Sequence, residues 1–424
     1  MPKGSLIRAL RHRNYRLYFA GQALSLVGTW TQQAGVQWLM SHLAATKSEY
    51  GRAGFAAQLP ALLFPPFAGV IADRVDRRRL LIVTQTLALL QAATLGVLVY
   101  QGAASLWSVL LLNVVLSMVN AFDLPTRQTF LGDIVEDRDD LANAIALNSS
   151  LVNGTRLIGP SLAAALMVLI GVAGCFLANA LSFVAVIVAL ALMRVTQSHR
   201  AHAHPSLISG LADGWNYVRR DRPIRAAMFV VAGTSLFGLP YNVLLPYVTR
   251  ELLGGREWTY GLLLTAPGLG AFVAGVWIAS RGLKGMIRRL IMAPFVAGLS
   301  LLLASLSHSL APVLICLFCA GFGFLILLNS ANTLIQTIAA ADKRGRVMGF
   351  YAIAFTGMAP LGNLVVPEMA ERFGTANALR GSALACILSG LAFAASARTW
   401  RSEVRARIAL SRPPATEFSA GSPT

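Results

Sequence analysis

Residues 69–100 read Gly69-Val-Ile-Ala-Asp73-Arg74-Val-Asp76-Arg77-Arg78-Arg79 and then LLIVTQTLALLQAATLGVLVY to Tyr100. The second part, 80–100, is an unbroken apolar run of about 20 residues, the length an α-helix needs to cross a bilayer. The first part gathers arginines and aspartates into the turn ahead of it. Charge expelled to the end of an apolar run, and not spread along one face, is the pattern of a helix whose sides meet lipid.

The same pattern repeats in both directions along the 424 residues. Apolar runs cover 17–42, 52–72, 80–100, 106–125, 142–170 and 174–194, then 224–249, 258–280, 287–306, 310–334, 346–370 and 376–397. Composition agrees. The chain is 56% hydrophobic and 13% charged, with a mean hydropathy of +0.62, whereas a soluble domain carries about 25% charged residues. Lipid removes the need for a polar covering. The expected fold is all-α: a polytopic membrane protein of twelve transmembrane helices.

Lysine and arginine set the expected orientation. They crowd into alternate breaks: the N-terminus, 74–79, 127–138, 194–225, 281–289, 343–346 and the C-terminal tail. The other breaks hold only Lys47, Arg52, Arg250, Arg256, Arg372 and Arg380. Both termini are therefore expected in the cytoplasm of a bacterium, with the chain in the inner membrane. The first run follows a basic start, yet it is too long and too rich in glutamine for a signal peptide, so it reads as a retained helix. The net charge of +18 and pI near 10.8 are explained by these loops, which excludes nucleic acid as a partner.

The domain reading is 1–16, a cytoplasmic N-terminal segment; 17–194, one six-helix bundle; 195–223, a cytoplasmic linker; 224–397, a second bundle; and 398–424, a cytoplasmic, partly disordered tail. Within the linker, Leu207, Leu211, Trp215 and Val218 fall at helical spacing, as in an amphipathic helix on the inner membrane surface. His199, His202 and His204 lack companion thiols or carboxylates and read as linker, not as a metal site. The pair Cys316 and Cys319 sits among apolar residues and reads as helix packing.

The halves echo each other. Gly69-Val-Ile-Ala72-Asp73-Arg74 closes the second run and Gly275-Val-Trp-Ile-Ala279-Ser280-Arg281 the eighth. Gln128-Thr129 is matched by Gln336-Thr337, and Gly159-Pro160 by Ala359-Pro360. Three matches in order indicate two pseudo-symmetric six-helix bundles with a path between them.

The segment from Gly69 to Arg79 resembles the loop signature of the major facilitator superfamily, G-x-x-x-D-R-x-G-R-[KR], with Asp76 where the pattern prefers glycine. Within it the chain resembles the branch of enterobactin exporters and macrolide efflux pumps. The stretches Pro125-Thr-Arg127-Gln-Thr-Phe130, Asn153-Gly-Thr-Arg156-Leu-Ile-Gly159-Pro160, and Arg344-Gly-Arg346-Val-Met-Gly349 followed by Thr356-Gly357-Met-Ala-Pro360-Leu-Gly362 carry that likeness. The resemblance implies an inner gate of Gly69, Asp73, Arg74 and Arg77. Asp73 would cap the eleventh helix, and the arginines would pair with Asp123 or Asp133. A carboxylate suits a helix N-terminus because unpaired N–H groups and a partial positive charge meet there. Gly159 and Pro160 in the fifth span, with Gly357 and Pro360 in the eleventh, would serve helix packing. The cargo does not transfer, since that branch handles dissimilar molecules.

Polar residues inside the runs are candidates for the substrate path. Arg156 is the one cation in mid-span. Gln22, Gln33 and Gln37 share a side of the first helix, with Gln32 off it; Asn113, Asn242, Asn329 and Gln336 extend the set. Interhelical hydrogen bonding is the alternative for about half of these amides. An amide-rich, uncharged cavity suits a neutral or amphiphilic cargo. Asp123 and Glu368 are the candidates for coupling to protons. The sequence has no G-x-x-x-x-G-K-[ST], H-E-x-x-H or G-x-S-x-G, so no enzyme, cofactor or metal is expected. The expected activity is secondary transport of a small organic molecule by a monomer among membrane lipids, driven by H+ and directed outward. An importer of the same fold and a non-transporting receptor or scaffold are the alternatives.

Overall fold

The computed structural model describes residues 8–64, 75–135, 137–193, 207–281, 285–340 and 342–410. Side chains at 138, 139, 153, 156, 157, 207–212 and 405–410 are not described. Among the described residues every regular element is helical.

After a short 3-10 turn at Arg8–Arg11, α1 is Arg13–Leu43 and α2 is Lys47–Leu63. Next come α3, Arg77–Tyr100, and α4, Leu106–Ile134. The run Arg138–Leu192 breaks at Gly171, where φ is 68° and ψ 175°, into α5 (138–170) and α6 (172–192). Only glycine takes such a backbone without strain, so these helices reverse direction with no intervening loop. The second half begins with α7, Leu207–Arg220. It continues with α8, Arg222–Leu252, α9, Glu257–Arg281, α10, Met286–Leu306, and α11, Leu310–Ile338. It ends with α12, Arg344–Phe373, and α13, Thr375–Leu410.

Nine helices among the described residues are long and apolar enough to cross a membrane. The expected number of twelve is reached by adding the amide-rich α1, the 17-residue α2 and the division at Gly171.

Local chemistry starts the helices where they start. The Thr46 hydroxyl accepts from the Glu49 N–H at 3.0 Å ahead of α2. Asp76 accepts from the Arg79 N–H at 2.9 Å ahead of α3. Ser105 and Ser108 exchange reciprocal bonds at the start of α4. Each satisfies an N–H that the first turn would leave open.

Within the first half, α1 lies along α6 on Gly21, Gly28 and Gly35. A methyl at Gly35 would sit 2.9 Å from the Phe176 ring and one at Gly21 3.3 Å from Ala189. Small residues every seventh position let two backbones approach. Between the halves, α2 meets α12 at Gly51, where a methyl would stand 2.7 Å from the Asn363 carbonyl oxygen, and α5 meets α9 where Ala164 fills the space over Gly261.

The linker helix α7 is tied to the second half along one side, with Trp215 left exposed. Val218 is buried in the core of the second half, Asp213 pairs with Arg346 at 3.0 Å, and the Tyr217 hydroxyl accepts from the Ala340 N–H at 3.1 Å. The helical course of α13 to Leu410 extends well into the segment expected as tail.

One face of the bundle carries both termini of the described chain and α7. On the opposite, distal face, helices are joined by the short turns 44–46, 101–105, 253–256 and 307–309, and by the single glycines Gly171 and Gly374.

Candidate functional site

The cores show how the halves meet. Two clusters mix residues of both: one joins Trp38 and Ala163 to Tyr241 and Tyr260, the other joins Tyr50 and Phe176 to Tyr247. Both lie toward the distal face. Toward the termini the cores separate, one built wholly from the second half around Leu334 and Trp400, the other wholly from the first around Tyr15 and Ile134.

The polar contacts follow the same division. Lys47, in the first turn of α2, places its Nζ 2.8 Å from Glu251 and 3.0 Å from the Thr375 hydroxyl. Its backbone N–H donates to Glu371 at 2.7 Å. Arg250 donates to the Ser41 carbonyl at 2.8 Å, and the cations of Lys47 and Arg250 lie 5.5 and 5.1 Å from the Tyr247 ring centre. Deeper in, Trp38 stacks on Tyr260 with ring centres 5.1 Å apart, and the Tyr260 hydroxyl donates to Gln37 at 3.0 Å. Ser161 reaches Thr265 at 3.1 Å. These bonds between the halves lie toward the distal face.

Below it, polar faces are open. Gln33 lies one turn from Gln37 on the same side of α1 and is exposed. On α11, Asn329 and Gln336 are exposed, and Gln336 donates to Asn332 at 2.6 Å. Asn242 is half-buried on α8. Gln33 thus sits on the side of α1 that turns toward α9 of the other half. Gln22, expected on that side, is buried elsewhere. Asn113 spends its amide on its own helix, donating to the Val109 carbonyl at 2.7 Å.

Gln22 belongs to a charged cluster inside the first half. Asp123 on α4, only 4% exposed, accepts from the Thr84 hydroxyl at 2.7 Å and from the Gln85 amide at 2.8 Å. Its second oxygen faces the Arg127 guanidinium, which in turn donates to Gln22 on α1. Three helices therefore hold one buried ion pair. Desolvating two charges is tolerated only with such hydrogen bonding. The assignment of Asp123 to the loop gate changes accordingly: its partner is Arg127, one turn along its own helix. The loop cation Arg77 reaches Asp133 instead, at 2.9 and 3.1 Å.

A second buried group lies nearer the distal face. Gln32 donates to Gln91 at 2.9 Å and accepts from Asn179 at 2.7 Å, and Ser182 donates to Asn179. Gln32, off the face shared by its neighbours, ties α1 to α3 and α6.

The other expected residues are placed as follows. Gly69, Asp73 and Arg74 lie outside the described residues, as does the Arg156 side chain. Gly159 faces Trp30, which a methyl would meet within 2.7 Å. Pro160 and Pro360 are buried. Gly357 meets only Ile353 of its own helix, and the close approach on α12 is at Gly362, against α8. Glu368 accepts from Arg372 at 2.7 Å on a partly exposed surface near the distal end.

The residues the sequence reading passed over are Arg127, Thr84, Gln85, Gln91, Asn179, Lys47 and Glu251. Arg127 carried a usable signal: an acid and a base four apart on a helix are neighbours. Gln85 and Gln91 were visible as amides within an apolar run.

With this geometry established, likeness to known proteins can be stated. The profile of the family described as transmembrane secretion effector matches residues 5–419. The staphyloferrin A transporter of Staphylococcus aureus is 27% identical over 364 residues, covering 85% of this chain and 90% of that protein. Macrolide efflux protein A of Streptococcus pyogenes is 21% identical over 391 residues, covering 89% and 96%. The crystal structure of a bacterial homologue of the iron transporter ferroportin, in an inward-facing state, superposes with a TM-score of 0.68 at 18% identity, covering 91% and 98%.

Proposed function

The chain belongs to the transmembrane secretion effector family of the major facilitator superfamily, and from that premise we propose that it exports a small amphiphilic organic molecule in exchange for protons. The observation that carries this reading is the one-sided closure: bonds between the halves gather at the distal face, above open amide-bearing faces of α1 and α11. An interface shut at one end and polar below it is what alternating access requires. The termini face the cytoplasm by the distribution of basic residues, so the closed end is the outer one.

Gln33, Asn242, Asn329 and Gln336 are the first contacts for cargo in this reading, and Gln37 and Arg156 remain candidates for the same path. Amides bind by hydrogen bonds without demanding charge, which fits a neutral or amphiphilic molecule. The kinship with a staphyloferrin A transporter and a macrolide efflux protein supports export of such a molecule.

Asp123 is the proton carrier in this reading. Protonation would remove its charge, loosen its hold on Arg127 and release Gln22 on α1. Glu368, paired with Arg372 at a partly exposed site, is the second candidate. The inner gate is formed by Asp73 and Arg74 with Gly69, supported by the Arg77–Asp133 tie that fixes α3 to α4. The protein acts as a monomer in the bacterial inner membrane.

The test is retention of a panel of amphiphilic compounds by cells with and without the protein. Compounds carried by it are retained less, the difference survives ATP depletion, and it vanishes with an uncoupler. Equal retention of every compound, or a difference indifferent to the uncoupler, overturns the reading.

A further inference from the structure

The start of α8 and the end of α13 run antiparallel past one another at the termini-bearing face and leave a groove of about 500 Å³ between them. Its lining is graded. On α8, Arg222, Arg225 and Phe229 fall on one side at helical spacing, and on α13 Phe393, Ser396 and Thr399 do the same. Because the helices are antiparallel, the arginines stand opposite Thr399 and Ser396, while Phe229 stands opposite Phe393. Seven residues at 1.5 Å each put Phe229 roughly 10 Å deeper in the membrane than Arg222. The groove is cationic and hydroxylated at the membrane surface and apolar below, and Phe229 is 62% exposed toward it.

We propose that this groove is a binding site for an anionic phospholipid, whose phosphate lies between Arg222 and Arg225 and whose acyl chain lies along Phe229. Guanidinium forks match phosphate oxygens with paired N–H donors. One N–H of Arg225 already donates to the Arg219 carbonyl at 2.6 Å, which fixes the direction of that fork. The adjoining carboxylate, Asp221, is turned to the helix start, accepting from the Ile224 N–H at 3.1 Å. Exposed Arg219 and Arg220, which directly precede the groove in the chain, raise the local positive potential. Basic pockets between helices on the cytoplasmic side are where anionic headgroups are held. A zwitterionic lipid would bring its own cation to the same place. Free phosphate would find the arginines but leave the apolar floor bare.

The test uses the full chain in nanodiscs of phosphatidylcholine doped with phosphatidylglycerol bearing a photoreactive group on its acyl chain. Crosslinking should concentrate on peptides containing Phe229 or residues 388–399. It should fall about tenfold or more in Arg222→Gln/Arg225→Gln, each cation near the surface contributing to anionic-lipid attraction. Arg16→Gln/Arg344→Gln, which removes equal charge elsewhere on the same face, should crosslink like the parent. Should the double groove variant fold poorly, the parent alone decides: excess phosphatidylglycerol should displace the probe, and excess phosphatidylcholine or inorganic phosphate should not. Equal crosslinking by a phosphatidylcholine probe, equal loss in the control variant, or displacement by inorganic phosphate overturns the proposal.

Discussion

The two halves share a plan but differ inside. The first half buries charge and amides: the Asp123–Arg127 pair with Thr84, Gln85 and Gln22, and the Gln32–Gln91–Asn179 group. The second half buries mostly apolar and aromatic side chains, such as Tyr241 stacked on Phe324 at 5.7 Å. It is instead irregular in its backbone. Helix α8 widens into π-helical turns at Thr234–Gly238 and Val248–Leu252, and α12 does so at Ile353–Gly357. Interior proline does not separate the halves, since Pro246 and Pro367 here are matched by Pro60, Pro125 and Pro160 in the first half. Wide turns and prolines mark helices that bend. The difference teaches that one bundle is held by buried polar contacts, while the other carries the wide turns at which helices bend.

The sharpest way to break that comparison is at Asp123. Asp123→Asn should abolish proton-driven export, because the neutral amide cannot cycle. Removing one partner of a buried pair costs about 3–5 kcal/mol, so the variant should also melt lower. Asp123→Asn/Arg127→Gln should recover much of that stability without recovering export. Coupled transport retained in either variant, measured in vesicles with an imposed pH gradient, would move the titrating role out of the first half.

The distal closure is the seam where the halves meet, and Lys47 serves α2, α8, α12 and α13 from one ammonium and one N–H. Lys47→Ala should shift the balance toward the outward-open state about tenfold, the equivalent of about 1.4 kcal/mol. A cysteine at Gln33, in a chain whose four native cysteines are replaced, should then react faster with a reagent added outside. An unchanged rate would show that the aromatic contacts of Trp38 and Tyr260 hold the seam unaided.

Asp73→Asn should act in the opposite sense and more weakly. Losing a carboxylate at a helix N-terminus removes about 0.3–1 kcal/mol, or up to about 2 when it is partly buried. The inward-open state should gain population, seen as faster labelling of the same cysteine from the inside. Asn329→Leu, which removes one cargo hydrogen bond worth about 1 kcal/mol, should have an effect of similar size. Its expected signature is a several-fold change in preference between polar and apolar cargoes at unchanged turnover.

How much of this was readable in the sequence depends on what each feature rests on. The spans and their alternation follow from apolar runs and basic breaks, which need no partner to be recognised. The reversal at Gly171 falls in the gap between the runs 142–170 and 174–194, although a turn of one glycine leaves no polar loop to mark it. The amides show the deeper difficulty. Gln22, Gln33 and Gln37 were grouped by angle on α1, yet Gln22 bonds Arg127, Gln37 bonds Tyr260 and Gln33 stays open. An angle fixes the direction a side chain leaves its own helix, but the partner depends on which helix stands there at that depth. Asp123 was drawn to the loop arginines by their charge. The geometry gives it to Arg127, which the sequence reading takes as part of a basic break and of a family motif, with no partner assigned.

The short distal turns have a consequence in the proposed orientation, which puts them outside the cell. The longest of them, 101–105, has five residues, and Gly171 and Gly374 are turns of a single glycine. Antibodies and proteases recognise protruding, deformable segments. This protein should therefore be nearly silent to both in intact cells. A binder raised against its outer surface would have to read a mosaic of helix ends gathered around Lys47, and would bind only while that end is shut.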